Sequence, residues 1–159
     1  MLDLGPAQGA QLRLLGRFGR TVRFAGLIPR TVGQPGWLDE LRSLPAHPAR
    51  PYDVVLLWDL LDRLPPPERP AVLERIAEIT ARGARLYAVI DASGAPTTRP
   101  QRFAIADTGH VTQTPSGPAE PASEPLLPAH VERALAPFEV VHAFTLRSGL
   151  REYVGVKKG

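Results

Sequence analysis

The sequence predicts an α/β protein built on a doubly wound, mostly parallel sheet that ends in an antiparallel strand pair. Apolar strand segments alternate with helical patterns along most of the chain, which is typical of parallel sheets connected by helices. The last two strand segments, 138–147 and 151–158, follow each other across Ser148 and Gly149, which favours an antiparallel hairpin. The length of 159 residues suits a single domain, 1–159, around one core.

The composition is that of a soluble globular protein and excludes several kinds of site. Hydrophobic residues make up 43% and charged residues 22% of the chain, and the formal net charge is +3. No basic run interleaved with aromatic residues accompanies that charge, so a nucleic-acid partner is not favoured. The absence of cysteine excludes disulfides and thiolate metal sites. Without a secretory signal or a long uncharged segment, we expect a cytoplasmic protein with no membrane partner.

The first nineteen residues predict a strand that runs through a ligand-binding turn into a helix. Residues 2–4 form the strand, residues 5–9 a tight turn, and the helix extends from Ala10 to Gly19. Small residues at alternating turn positions let the backbone approach a ligand and direct helix N-terminal amides towards it. Tight strand-to-helix connections favour glycine without a ligand as well, so the turn alone leaves a purely structural role open. The small residues are Gly5, Ala7 and Gly9.

The next segments predict a second strand, a loop, a short helix and a central strand. Residues 21–25 alternate as a short strand, 29–36 form a loop, and 37–44 provide one or two helical turns. The apolar run at 52–59, YDVVLLWD, is typical of a strand that is covered on both faces of a parallel sheet.

A helix and a further buried strand follow the central strand. The helix is predicted from Pro70, a favoured first position, to just before Gly83, with its apolar residues on one stripe. Residues 84–91, ARLYAVID, form the next buried strand.

The segment 92–128 differs in character from the rest of the domain. It contains a predicted hairpin around Asp107 and Gly109, followed by a proline-rich, mobile tract over 114–128. We interpret this insert as a lid over a pocket at the sheet edge. A short helix over 129–136 leads from it to the final strands.

Three stretches of the sequence resemble the class I S-adenosylmethionine-dependent methyltransferases. LDLGPAQG (2–9) is similar to the first motif of that family, an acidic residue followed by small residues at alternating positions. Residues 52–90 resemble the family's fourth strand, the helix after it and the fifth strand, and 138–158 resembles its final strand pair. The resemblance covers most of the chain outside 29–50 and 92–128. It implies a Rossmann-like fold and S-adenosylmethionine as the cofactor.

The resemblance also implies positions for the cofactor. In that family the first turn and its acid hold the amino-acid end of the cofactor. Residues just past the fourth strand lie beside the sulfonium and the incoming substrate. The cofactor-binding residues implied here are Asp3, Gly5, Ala7, Gly9, Trp58 and Asp59.

Both candidate catalytic residues, Asp59 and His110, have alternative explanations, and so does Trp58. Asp59 is implied as a catalytic residue on the substrate side, although the helix dipole also favours an acid there. His110 lies in the hairpin that would extend over the pocket and is the preferred candidate for a substrate-side base. An ordinary loop residue without a catalytic role is nevertheless the favoured interpretation of His110. Trp58 is equally well explained as a large core side chain that covers the sheet edge.

The histidines do not predict a metal site. The four in the chain show no metal-ligand spacing, and no cysteine joins them. They are His47, His110, His130 and His142.

The sequence departs from the family in three places. The second strand should end in an acid that binds the ribose hydroxyls, but FAGLIP (24–29) occupies that position. Only about 25 residues separate the second strand from the fourth, so the third strand is expected to be short or absent. The N-terminal helices that commonly cover the cofactor are also expected to be missing.

These departures leave two hypotheses of different classes. The first is an S-adenosylmethionine-dependent methyltransferase that acts on a small-molecule acceptor. The alternative is a non-catalytic, methyltransferase-like interaction module that has lost its cofactor site or shares it with a second copy or another protein. A nicotinamide-dependent oxidoreductase is a distant third, because it requires the same missing acid.

Overall fold

The computed structural model describes residues 1–18, 21–27, 37–44, 50–93, 95, 97–107, 109–121 and 124–159. The predicted loop at 29–36 and His47 lie outside the described residues. The strands are β1 (Leu2–Asp3), β2 (Arg23–Phe24), β3 (Tyr52–Trp58), β4 (Thr80–Asp91), β5 (Thr97–Thr98), β6 (Gln101–Asp107), β7 (His110–Pro115), β8 (Glu120–Pro121), β9 (Phe138–Thr145) and β10 (Leu150–Lys157). The helices are α1 (Gly9–Phe18), α2 (Trp37–Ser43), α3 (Leu60–Arg63), α4 (Arg69–Ile79) and α5 (Pro128–Ala134), with a 3-10 turn at Pro66–Glu68.

Six of these strands form one mixed sheet in the spatial order β2-β1-β3-β4-β10-β9. The pairs β2–β1, β1–β3 and β3–β4 are parallel, whereas β10 is antiparallel to both β4 and β9. The predicted fold class, a mostly parallel doubly wound sheet with an antiparallel C-terminal pair, is confirmed. Between β2 and β3 the described residues are 25–27, 37–44 and 50–51, and they contain α2 and no strand.

The core lies against the central strands. The four consecutive β3 residues from Val55 to Trp58 are each at most 5% exposed, so both faces of this strand are covered, as its apolar run predicts. Helix α4 packs Val72, Leu73 and Ile76 into the same core with no exposed surface. No described helix is both long enough and apolar enough to span a membrane.

The predicted boundary between α4 and β4 is wrong by four residues. The helix ends at Ile79 rather than near Gly83, and β4 begins at Thr80. Thr80 adopts an extended backbone, and its Oγ1 donates to the carbonyl of Ala77 over 3.1 Å. The Lys157 ammonium donates to the same carbonyl over 2.6 Å and so compensates one of the open helix-end acceptors. This helix end is therefore bonded both by the local Thr80 side chain and by a lysine eighty positions away, and the second contact is not visible in the local pattern.

The insert contains the predicted hairpin and an additional strand pair. Strands β6 and β7 pair antiparallel, and Phe103 lies opposite Gln113. The tract predicted to be mobile contributes β8, which pairs antiparallel with β5. The hairpin packs against α1, which brings the insert to the first turn of the chain.

Candidate functional site

The turn after β1 is held in place by backbone hydrogen bonds to both neighbouring strands. The Leu4 amide donates to the carbonyl of Leu56 over 3.0 Å, at the carboxyl end of β3. On the other side, the Leu27 amide donates to Leu4 over 2.9 Å, and the Gly26 amide donates to Gly5 over 3.2 Å. The turn is thus part of the sheet edge at the carboxyl ends of parallel strands, where ligands bind in open α/β folds.

The carboxylate of Asp3 is fully buried and is surrounded by donors from the protein itself. Its Oδ1 accepts hydrogen bonds from the Gly5 amide at 2.8 Å and from Trp58 Nε1 at 2.7 Å. Its Oδ2 accepts a hydrogen bond from Gln11 Nε2. Burial raises the pKa of Asp3 to about 6, although the bonds from Trp58 and Gly5 lower it. Asp3, the acid of the predicted motif, is therefore hydrogen-bonded to groups of the protein itself.

Trp58 lies between three elements at this edge. Its indole ring stacks parallel to Phe103 of β6, with ring centres 5.5 Å apart and planes within 3°. It meets the edge of Tyr87 in β4 at 5.5 Å. Only 1% of the residue is exposed. The alternative interpretation of Trp58 as a covering core side chain describes this position well.

The Trp58 ring closes the space beside Gly5. A Cβ placed on Gly5 would lie 3.1 Å from Trp58 Nε1 and 3.1 Å from Asp3 Oδ1, closer than almost all real Cβ contacts. Ala7 and Gly9 are exposed, and a Cβ on Gly9 would only approach Arg13 Nη1, at 3.7 Å. The turn is therefore closed at its β1 end and open at its α1 end.

The hairpin of the insert packs against the Trp58 ring through Phe103. Phe103 is 5% exposed, and its carbonyl accepts a hydrogen bond from Gln8 Nε2 at 2.7 Å. Gln8 belongs to the turn, so turn, tryptophan and hairpin are joined directly. All six residues of the partner strand β7 are exposed, which places the outer strand of the hairpin in solvent.

A small charged cleft lies next to this cluster, where β3 and β4 end. Its volume is about 100 Å³, and its walls include three aspartates and two arginines, namely Asp59, Asp62, Asp91, Arg63 and Arg99. Asp62 was not among the residues that the sequence implied for the site. The i, i+3 spacing of Asp59 and Asp62 directly after a buried strand is the signal that was available.

Two of the three aspartates of the cleft, Asp59 and Asp62, differ in their partners. Asp59 Oδ2 accepts a hydrogen bond from Arg63 Nε at 3.1 Å, whereas no group of the described residues has hydrogen-bond geometry at its buried Oδ1. Burial raises the pKa of Asp59, and the charge of Arg63 opposes that shift. Asp62 Oδ2 accepts from the Asp91 amide at 2.7 Å, and burial raises the pKa of Asp62 to about 7. A carboxyl group with this pKa exchanges protons near neutral pH.

The structure does not bring His110 to this cluster. The residue starts β7 at the hairpin turn, its side chain is 78% exposed, and Nδ1 lies 2.7 Å from Asp107 Oδ1. Asp107 is four strand positions from Phe103, which corresponds to roughly 13 Å along an extended strand. Across the described ranges, no group of three or more His, Cys, Asp or Glu residues is placed to hold a metal ion.

The end of β2 lacks a ribose-binding carboxylate, as the sequence indicates. Within the described residues 21–27, the strand ends at Phe24 and continues through Ala25 and Gly26. The next acid, Asp39, lies on α2, where it pairs with Arg42 at 3.4 Å and is 78% exposed. It belongs to the helix surface and not to the turn.

Solved methyltransferase structures share this architecture. The CcbJ methyltransferase from Streptomyces caelestis matches 99% of this chain and 88% of its own with a TM-score of 0.60 at 13% identity. CalS10, an amino pentose methyltransferase from Micromonospora echinaspora, was solved with S-adenosylmethionine; it matches 99% of this chain and 82% of its own with a TM-score of 0.59 at 14% identity. A third structure is the 1,6-didemethyltoxoflavin-N1-methyltransferase from Burkholderia thailandensis, which was solved with 1,6-didemethyltoxoflavin and S-adenosylhomocysteine. It matches 99% of this chain and 60% of its own with a TM-score of 0.53 at 16% identity.

No protein-family model matches the chain, and no curated protein matches it at a significant level. At these identities the structural similarity establishes the fold. The chain has the fold of the class I S-adenosylmethionine-dependent methyltransferases, as its motifs predict.

The fit of a cofactor to the turn differs between its two ends. The exposed, small residues Ala7 and Gly9 leave room for a ligand at the start of α1. Beside Gly5, the amino-acid end of S-adenosylmethionine does not fit in this conformation, because the Trp58 ring occupies that space.

Proposed function

We propose that the chain is an S-adenosylmethionine-dependent methyltransferase that acts on a small-molecule acceptor. The observation that carries the proposal is the turn itself: a buried acid, Asp3, bonded to the Gly5 amide at 2.8 Å, at the carboxyl ends of β1 and β3 in a sheet of this fold. Neighbouring structures with small-molecule ligands support the same class. A cytoplasmic location without a membrane partner belongs to this proposal.

The proposed roles follow the two ends of the site. Once the Trp58 ring has left the space beside Gly5, the cofactor would be held by Asp3, Gly5, Ala7 and Gly9, with Trp58 and Asp59 beside it, and it would supply the methyl group. Asp59 also borders the cleft at the ends of β3 and β4, where a carboxylate can orient a donor group of the acceptor. His110 remains the second proposed catalytic residue, and the 92–128 insert the proposed lid. For His110 to reach the acceptor, the hairpin tip must bend towards the cleft.

Calorimetric titration with S-adenosylhomocysteine tests the proposal. Gly9→Leu fills the open end of the turn without an internal clash, so we expect at least a tenfold weaker affinity. Gly16→Leu is the matched control in the same helix, because nothing lies within 4 Å of its added Cβ; its affinity should equal that of the wild type. If neither the wild type nor Trp58→Ala, whose crevice is open, binds at millimolar ligand, the chain is not a cofactor-dependent methyltransferase.

The second candidate is a non-catalytic interaction module that has lost or shares its cofactor site. The closed crevice at Gly5 favours it, and so does the edge strand β9, where Val141 is 46% and Phe144 56% exposed. Such apolar side chains on an edge strand, which is paired on one side only, are a suitable surface for a second copy or another protein. Sedimentation at increasing concentration separates the candidates: a monomer at all concentrations that binds the cofactor excludes the module.

A further inference from the structure

Trp58 combines an unfavourable backbone with an unusually complete set of side-chain contacts. Among the described residues it is the only non-glycine residue with a positive φ, at 54°. A side chain disfavours this left-handed region, so surrounding contacts must hold the residue there. Residues held in such a backbone conformation cluster at active sites, ligand clamps and switch regions.

The contacts that hold Trp58 involve the atoms that a ligand of the turn would use. Its Nε1 donates to Asp3 Oδ1 over 2.7 Å, so the carboxylate that the proposed function assigns to the cofactor is already bonded within the protein. Its ring lies 3.1–3.2 Å from the place that a Cβ on Gly5 would take, so an additional atom does not fit on that side of Gly5. The indole therefore both bonds to the Asp3 carboxylate and fills the space beside Gly5.

The cover over Trp58 is a hairpin that is attached to the domain through its inner strand. Strand β6 buries Phe103 and Ala104, and its backbone carbonyls accept from Gln8 at 2.7 Å and from Arg63 at 3.4 Å. The outer strand β7 is exposed throughout. Because only one of the two hairpin strands is buried, displacement of the hairpin costs less than that of a core strand.

We infer that Trp58 controls access to the crevice at Gly5: it occupies the ligand position in the closed state, and the hairpin must release it before an adenosyl ligand can bind. The inference rests on the proposed function for the identity of the ligand. The closed arrangement itself depends only on Asp3, Trp58 and Phe103. Affinity for the ligand is then reduced by the fraction of molecules that are closed.

The test uses Trp58 as its own reporter. Trp37→Phe removes the other of the two tryptophans of the chain. In this background, acrylamide quenching of Trp58 fluorescence is measured with and without S-adenosylhomocysteine. We expect ligand to increase quenching severalfold, because the indole leaves its buried position. Ligand binding with unchanged quenching would overturn the inference.

Variants then separate the gate from the function. Phe103→Ala removes the stacking partner of Trp58 and should tighten S-adenosylhomocysteine binding about tenfold, with higher quenching before ligand is added. Phe144→Ala, an equal truncation on the exposed strand β9, should change neither value. Trp58→Ala should bind at least as tightly as Phe103→Ala.

The outcomes are distinguishable. Equal affinity for the wild type, Phe103→Ala and Trp58→Ala overturns the gate and leaves the proposed function intact. If Phe103→Ala and Trp58→Ala bind S-adenosylhomocysteine more tightly than the wild type does, both the gate and the proposed function are supported. Absence of binding in all three overturns both.

Discussion

The parallel strands β1 and β3 and the antiparallel edge strand β9 bury their side chains to very different extents. Leu2, Asp3 and Leu57 have no exposed surface, whereas Val141 is 46% and Phe144 56% exposed. Both faces of β3 are covered from Val55 to Trp58, but the second half of β9 is exposed on both faces. Free energy of burial is therefore concentrated at the strands that carry the candidate site.

This difference explains why function and stability are hard to separate in this molecule. Asp3 and Trp58 are at once site residues and parts of the core, so their removal affects folding as well as ligand binding. The exposed positions at Gly9 and the hairpin offer changes that leave the core intact. The edge strand β9 provides matched controls, because the same substitutions there remove little buried surface.

The largest expected effect is the loss of a buried leucine. Leu57→Ala should lower the free energy of unfolding by about 3–4 kcal/mol, because it leaves a cavity in a fully covered strand. Val141→Ala on β9 should cost less than about 0.5 kcal/mol. Urea unfolding monitored by circular dichroism measures both. Similar losses for the two variants would show that β9 is buried in solution, for example by a second copy.

A pH-dependent difference of intermediate size is expected from Asp62. Burial raises its pKa to about 7, so the folded state binds a proton that the unfolded state releases near pH 4. Stability should therefore fall as the pH rises from about 4 through 7, and Asp3, with a pKa of about 6, should add to the same slope. Asp62→Asn keeps the acceptor for the Asp91 amide and should stabilise the protein at pH 8 by on the order of 3 kcal/mol, discounted for partial exposure.

Glu139→Gln is the control for Asp62, since the Glu139 side chain on β9 is 61% exposed. Its free energy of unfolding should follow the wild-type pH curve when urea unfolding is repeated at pH 4.5, 6 and 8. A wild-type curve that rises over this range, or an Asp62→Asn curve with the full wild-type slope, would contradict the assignment.

The smallest effect concerns the attachment of the hairpin. Gln8→Ala removes the donor to the Phe103 carbonyl and should cost about 1 kcal/mol, together with faster amide hydrogen exchange in β6. Thr145→Ala, at the exposed end of β9, should leave both quantities unchanged. Unchanged exchange in β6 of Gln8→Ala would mean that Phe103 stacking alone fixes the hairpin.

Local pattern was sufficient for the central strand and for the C-terminal strand pair. The apolar run at 52–59 predicted β3, and the break at Ser148 and Gly149 predicted the antiparallel pair, because burial and turn geometry act on neighbouring residues. The helix end at Ile79 was not predictable in this way, since Lys157 from the last strand binds the carbonyl of Ala77 there.

The sequence by itself determined the fold class and the small, acid-preceded turn, since periodicity and residue size fix both locally. Only the tertiary structure decided what lies against that turn. Trp58 is 55 positions from Asp3, and Phe103 is 95 positions from Gln8, yet all four meet at one sheet edge. The physical reason is that parallel strands bring their carboxyl ends together whatever their separation in the chain, and the volume left beside Gly5 depends on which side chains arrive there.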